Sequence, residues 1–159
     1  MSATRDYLIR LENNLMLGGG RWIADFTESF WDFRVGNTNF DMVILGNTRP
    51  RGFLLSRFFA WLTLPAYRVA CFVYSEDQQL KHLGTLIKSI KDFMEEQEMT
   101  WSWLVLTREG SFTRKATAGI QKNNSHEIGI ALVDLEANEM ITNDSVIGRR
   151  MRRFVRTFK

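Results

Sequence analysis

One cysteine, two prolines and two histidines are all that the 159 residues carry of these types. The lone Cys71 excludes an intramolecular disulfide and suits a reducing compartment, so a cytoplasmic location is expected. Cys71 also stands between Ala70 and Phe72 in an apolar run, the setting of an inert core thiol rather than of a nucleophile. His82 and His126 do not stand in an H-E-x-x-H pattern, and no C-x-x-C occurs, which argues against a zinc site. The chain has no continuous apolar run of the roughly 18 residues that a spanning helix requires. Its best candidate, "GFLLSRFFAWLTLP", is shorter and is broken by Arg57. The opening "MSATRDYLIRLENN" intersperses charge with apolar residues and does not read as a signal peptide. Gly18-Gly19-Gly20 lacks the spacing of a P-loop and follows a helical pattern, where glycine ends helices. No G-x-G-x-x-G follows a strand, so dinucleotide binding has no support. No repeat and no low-complexity stretch divides the chain, and a single domain over residues 1–159 is expected.

What the chain does have is a large apolar supply. Hydrophobic residues make up 45%, and the aromatic share of 13% includes five Trp and twelve Phe. That is ample for one buried core. Charge is distributed unevenly. The net charge is +3, yet residues 145–159, "SVIGRRMRRFVRTFK", carry five arginines, one lysine and no acid, for +6. The other 144 residues hold 15 basic and 18 acidic side chains, for −3. The basic character is thus one local patch.

Periodicity predicts the elements. Tyr7, Leu8, Leu11 and Leu15 place a helix over residues 3–17. Residues 21–36 are ambiguous: Phe26, Phe30 and Phe33 have helical spacing while "FWDFRV" alternates like a strand, and the expectation is a helix first, then a short strand near 31–35. An apolar strand is predicted at 40–45, and an amphipathic helix at 53–63, closed by Pro65. "YRVACFVYS" is a further apolar strand. Ser75 and Gln78 form a capping box that starts a long helix with Leu80, Leu83, Ile87, Ile90 and Met94 on one face. "TWSWLVLTR" is another strand, residues 112–122 a short helix, and "EIGIALVDLEANEMITN" two strands about a turn at Ala137-Asn138. Asp144 or Ser145 caps a final helix. Uninterrupted apolar strands alternating with helices imply a sheet covered on both faces. The expected fold is a three-layer α/β sandwich with a mixed sheet of about five strands.

The order of these elements resembles the core of restriction-endonuclease-like nucleases, the PD-(D/E)XK group, over residues 3 to about 134. A helix bearing Glu12 precedes a strand with an early aspartate, Asp41 in "NFDMVILG". A second apolar strand then leads into the long helix and a further strand. In that group an aspartate and a Glu-x-Lys on the next strand bind Mg²⁺ and position the attacking water. Asp41 matches the aspartate. Ala70-Cys71-Phe72-Val73 stands where Glu-x-Lys belongs, so the resemblance implies a degenerate, non-cleaving member with no cofactor. The alternative is a Mg²⁺-dependent nuclease with relocated ligands, drawn from Glu12, Asp41 and Glu76 or Asp77. Glu76 and Asp77 have a sufficient role at a helix start, and Asp41 one in bonding local backbone.

The C-terminal stretch carries the strongest partner signal. Val146 or Ile147, Met151, Phe154 or Val155, and Phe158 recur at three- to four-residue steps. This predicts a basic amphipathic helix over 145–158, docked on the domain. Arg149, Arg150, Arg152, Arg153, Arg156 and Lys159 occupy its other face. Arg149 and Arg150 are expected in the first turn, where the helix dipole disfavours cations. A row of unpaired arginines suits phosphates, which dominate nucleic-acid affinity, but supplies no sequence readout. The expected function is a non-catalytic nucleic-acid-binding or accessory module, with DNA or RNA as partner. A protein-interaction subunit or homo-oligomer is the other class, burying aromatics such as Phe58 and Trp61 against a partner. Gly148 sits early in this helix, where it costs about 1 kcal/mol relative to alanine; close packing or a phosphate near the helix N-terminus would account for it.

Overall fold

A computed structural model describes residues 2–48 and 68–156. The helix expected at 53–63, with Phe58 and Trp61, and the terminal Phe158 and Lys159 lie outside the described residues.

The chain forms α1 (Ala3–Met16), a 3-10 turn (Gly19–Trp22), β1 (Asp25–Val35), β2 (Thr38–Asn47), β3 (Arg68–Ser75), α2 (Leu83–Glu96), β4 (Met99–Arg108), α3 (Arg114–Gln121), β5 (Ile128–Asp134), β6 (Glu139–Thr142) and α4 (Val146–Met151). The described strands make one six-stranded mixed sheet in the order β1-β2-β3-β4-β5-β6. β1, β2 and β3 are antiparallel neighbours, β3, β4 and β5 run parallel, and β6 turns back antiparallel. The expectation of about five strands was one short.

The layers follow from which side chains each face buries. α1 and α4 cover one face, meeting Met42, Ile44, Val69, Cys71, Val73, Trp103, Val105, Ala131 and Val133. The crossover helices α2 and α3 cover the other, meeting Val43, Ala70, Phe72, Leu104, Leu106, Ile128, Ile130 and Leu132. Being covered on both sides makes β3, β4 and β5 continuous apolar runs, buried almost throughout. Each fully buried Leu, Ile or Phe contributes about 1.5–3 kcal/mol of transfer free energy.

Two expectations need correction. Residues 25–35 are strand throughout, and only the 3-10 turn Gly19–Trp22 lies between α1 and this strand. Phe26, Phe30 and Phe33 have helical spacing because this strand does not keep strict alternation. Its register shifts between Phe26 and Glu28, and Asp32 has φ +51. Phe26 enters the α1-side core, whereas Phe33 packs on the α2 side and Phe30, three residues before it, meets the Phe33 ring with centroids 5.1 Å apart. β2 breaks its alternation as well: Phe40, Val43 and Leu45 face α2 while Met42 and Ile44 face α1. The pairs Trp31–Met42 and Phe33–Phe40 bracket Asp32 and Asp41 without a change of register, so the irregularity takes one residue from each strand at one level, unlike a β-bulge, which adds a residue to one strand.

The long helix does not start at a Ser75–Gln78 capping box. Ser75 is still in β3, paired with Thr107, and α2 begins at Leu83 with no side-chain cap at His82. Leu80, at φ +56, cannot continue a right-handed helix. α2 then buries Leu86, Ile90 and Met94.

Candidate nucleic-acid interface

α4 is anchored at the N-terminal end of β5. Asn143 sits just ahead of it and behaves as an extra strand residue. Its Oδ1 accepts from Ile130 N at 2.9 Å, its Nδ2 donates to Ile128 O at 3.2 Å, and its own amide donates to Ile130 O at 2.9 Å. Ser145 caps the helix, its Oγ accepting from Gly148 N at 2.9 Å. A Cβ on Gly148 would overlap Asn143 Oδ1 and crowd its carbonyl oxygen. Close packing therefore accounts for Gly148.

The helix is shorter than the spacing predicted. It ends at Met151 rather than continuing to 158, and residues 152–156 continue as turns and bends. Arg149 and Arg150 consequently stand in its last turn, where the dipole favours cations. Met151 and Val155 are fully buried, with Ile147 and Phe154 packed against the same core. The Phe154 ring stacks on Trp103 with centroids 6.0 Å apart and planes at 16°.

Arg149, Arg150, Arg152, Arg153 and Arg156 are all exposed. Arg149 is held by Asp144, Nη1 to Oδ1 at 2.9 Å, an exposed pair of the kind that contributes at most about 1 kcal/mol. That acid lies one residue before the acid-free stretch. Among the described residues, Arg150, Arg152, Arg153 and Arg156 have no acidic partner.

The candidate metal ligands lie elsewhere. Asp41, Glu76 and Asp77 gather near Tyr74 at the C-terminal end of β3, the opposite end of the parallel strands from Asn143 and α4. Tyr74 titrates above its ordinary value, first through burial and then through the charges of Glu76, Asp41 and Asp77. Each carboxylate is occupied by hydrogen bonds within the fold. Asp41 Oδ2 accepts from Ser75 N at 2.5 Å. The fully buried Glu76 side chain accepts from Asp77 N at 2.9 Å, His82 N at 3.1 Å and His82 Nδ1 at 2.9 Å. Asp77 Oδ1 accepts from Gln79 N at 2.8 Å and Lys81 N at 3.3 Å. Glu12 Oε1 accepts from Trp31 Nε1 at 3.3 Å. Among the described residues, no three His, Cys, Asp or Glu side chains converge to hold a metal ion. Cys71 is fully buried, and burial pushes its thiol well above its ordinary value.

The sequence did not single out two features of the interface. Tyr7 Oη donates to Val155 O at 2.7 Å, and Asn14 Nδ2 donates to Phe154 O at 2.7 Å. Tyr7 belonged visibly to an apolar stripe, but its hydroxyl reaches across 148 positions of sequence, which no local pattern reveals. Among the described residues, no helix is long and apolar enough to cross a membrane. No family model, no curated protein and no solved structure matches this chain.

Proposed function

We propose that the chain is a non-catalytic nucleic-acid-binding or accessory module that contacts phosphates through Arg150, Arg152, Arg153 and Arg156. The observation that carries this reading is four exposed arginines without acidic partners among the described residues, on a segment whose apolar side chains are buried in the core. The rest of the chain is net negative, so attraction to a polyanion falls to this patch. Arg149 contributes less, because Asp144 already neutralises it.

The core is proposed to be a degenerate restriction-endonuclease-like one. Supporting it are the helix, the three antiparallel strands, the crossover helix and the parallel fourth strand. Asp41 lies on the second of those strands, and Val69–Val73 of the third lacks any carboxylate or lysine. Asp41, Glu76 and Asp77 lie at the opposite end of the parallel strands from the start of α4, which suits binding without cleavage.

The test is binding of labelled duplex and single-stranded DNA and RNA as salt is varied. With four phosphates engaged, log affinity against log salt should fall with a slope of about −3.6 for duplex and about −2.8 for single strands. Reversing two charges, Arg150→Glu with Arg153→Glu, should flatten that slope by about two while far-UV circular dichroism stays unchanged. No binding at low salt rejects the reading. Cleavage in Mg²⁺ or Mn²⁺ that Asp41→Ala removes would establish the nuclease instead.

A further inference from the structure

Residues 152–156 follow the last helical turn, and the carbonyls of Phe154 and Val155 both accept from side chains of another helix. Helix α1 supplies both donors. Tyr7, only 5% exposed, holds Val155 O, and Asn14, two turns further along the same helix, holds Phe154 O. Between these anchors the apolar side chains turn inward. Val155 is buried and Phe154 stacks on Trp103. Gly129 makes the seat possible: a Cβ there would come within 2.9 Å of Ile147 Cγ2, 3.0 Å of Met151 Sδ and 3.0 Å of Trp103 Cδ1. With the backbone pinned at two successive carbonyls and one ring, Arg152, Arg153 and Arg156 are left outside.

We infer that Tyr7 and Asn14 are positioning residues for the arginine face, fixing residues 152–156 as a preformed array for the regular phosphate backbone of a duplex. The inference rests on the phosphate-contact reading proposed above. Binding through a loose basic tail would order the chain at the moment of contact, and that entropy reduces affinity. An array already held by α1 avoids that cost. The clamp carries no charge, so its effect is separable from that of the arginines.

The experiment compares the whole protein with Tyr7→Phe/Asn14→Ala, which keeps every cation. Trypsin cuts after arginine, so cleavage after Arg152, Arg153 and Arg156, followed by mass spectrometry, reads release of the segment. Affinity for a short labelled DNA duplex, over a range of salt, reads the consequence. Cleavage in this segment is expected to rise at least about tenfold, and duplex affinity to fall about tenfold. The salt slope should keep its wild-type value, because the same phosphates are neutralised. A released segment with unchanged affinity overturns the inference and leaves the phosphate reading standing. Unchanged cleavage also overturns it, since the two bonds would not then be what holds the segment. If the wild-type protein binds no duplex at low salt, the phosphate reading fails and the inference falls with it, whatever trypsin shows. Should the double variant lose its circular dichroism signal, Asn14→Ala alone carries the test, because Asn14 is only half-buried and makes one of the two bonds.

Discussion

Gly148 and Asn143 form a pair in which each fixes the other's identity. Asn143 extends the ladder beyond β6, with its side chain bonded to both Ile128 and Ile130. The backbone of α4 then lies against that amide so closely that no Cβ fits at residue 148. Two effects oppose each other in Gly148→Ala. Alanine is the better helix former by about 1 kcal/mol, whereas overpacking costs about 1–3 kcal/mol, and displacing Asn143 strands buried backbone groups at about 1–3 kcal/mol more. The steric side wins, so urea denaturation should show a net loss of about 1–5 kcal/mol. A gain in stability would mean that α4 is not seated as described. Asp134 gives the corresponding pH statement. Burial raises its carboxyl, but bonds from the amides of Ala137, Glu136 and Gly110 and from the Ser111 hydroxyl outweigh that and lower it below 3.8. A carboxyl depressed on folding stabilises above its unfolded value and loses that contribution as pH falls through the folded one. Asp134→Asn should therefore lower the melting temperature near neutrality, and the difference from wild type should shrink as pH drops below about 4. A difference that is constant with pH would reject the charged role.

At the scale of elements, the loop from β3 into α2 is closed by a buried carboxylate rather than by a hydroxyl. Glu76 joins the start of the loop to its end by accepting from Asp77 N, His82 N and the His82 ring. Glu76→Ala leaves two amides and a ring nitrogen without their acceptor, and hydrogen bonds to charged groups contribute about 1.5–3 kcal/mol each. A loss of about 2–4 kcal/mol is expected, since relaxation toward water recovers part of the total. Ser75→Ala should change stability by less than about 0.5 kcal/mol. The order reverses if Ser75 acts as the cap after all, so the two melting curves decide. The sequence pattern "SEDQ" matches a capping box letter by letter, and nothing local to it shows that β3 keeps Ser75 or that Leu80 takes a left-handed backbone. β1 was obscured for a related reason. A register shift and the positive φ of Asp32 spoil period two, leaving an aromatic spacing that mimics a helix. By contrast, β3, β4 and β5 were legible because burial on both faces demands uninterrupted apolar residues. α1 was legible because Tyr7, Leu8, Leu11 and Leu15 keep a single face. The arginine side chains could be read as outward because Met151 and Val155 had to be inward. Tyr7 and Asn14 as anchors could not, since hydrogen bonds spanning 148 and 140 positions leave no trace in spacing.

At the scale of the whole molecule, the cations of the C-terminal patch sit on a segment whose apolar side chains belong to the core. The basic segment therefore cannot be treated as an appendage. Truncation after residue 144 would remove six cations, and with them the fully buried Met151 and Val155, the cover over Trp103 and the partners of Tyr7 and Asn14. Burying two such side chains contributes about 3–6 kcal/mol, and for a chain of this size each kcal/mol shifts the melting temperature by about 2–4 °C. The truncated protein should therefore melt about 6–24 °C lower, whereas Arg150→Glu/Arg153→Glu should melt within a few degrees of wild type. Loss of binding in the truncation would then report unfolding as much as missing charge, and only the charge reversal separates the two. If the truncated chain instead melts with the full-length protein, residues 145–156 are not part of the core. The arginines would then act as a free basic arm, and the preformed face argued from α1 would have no basis.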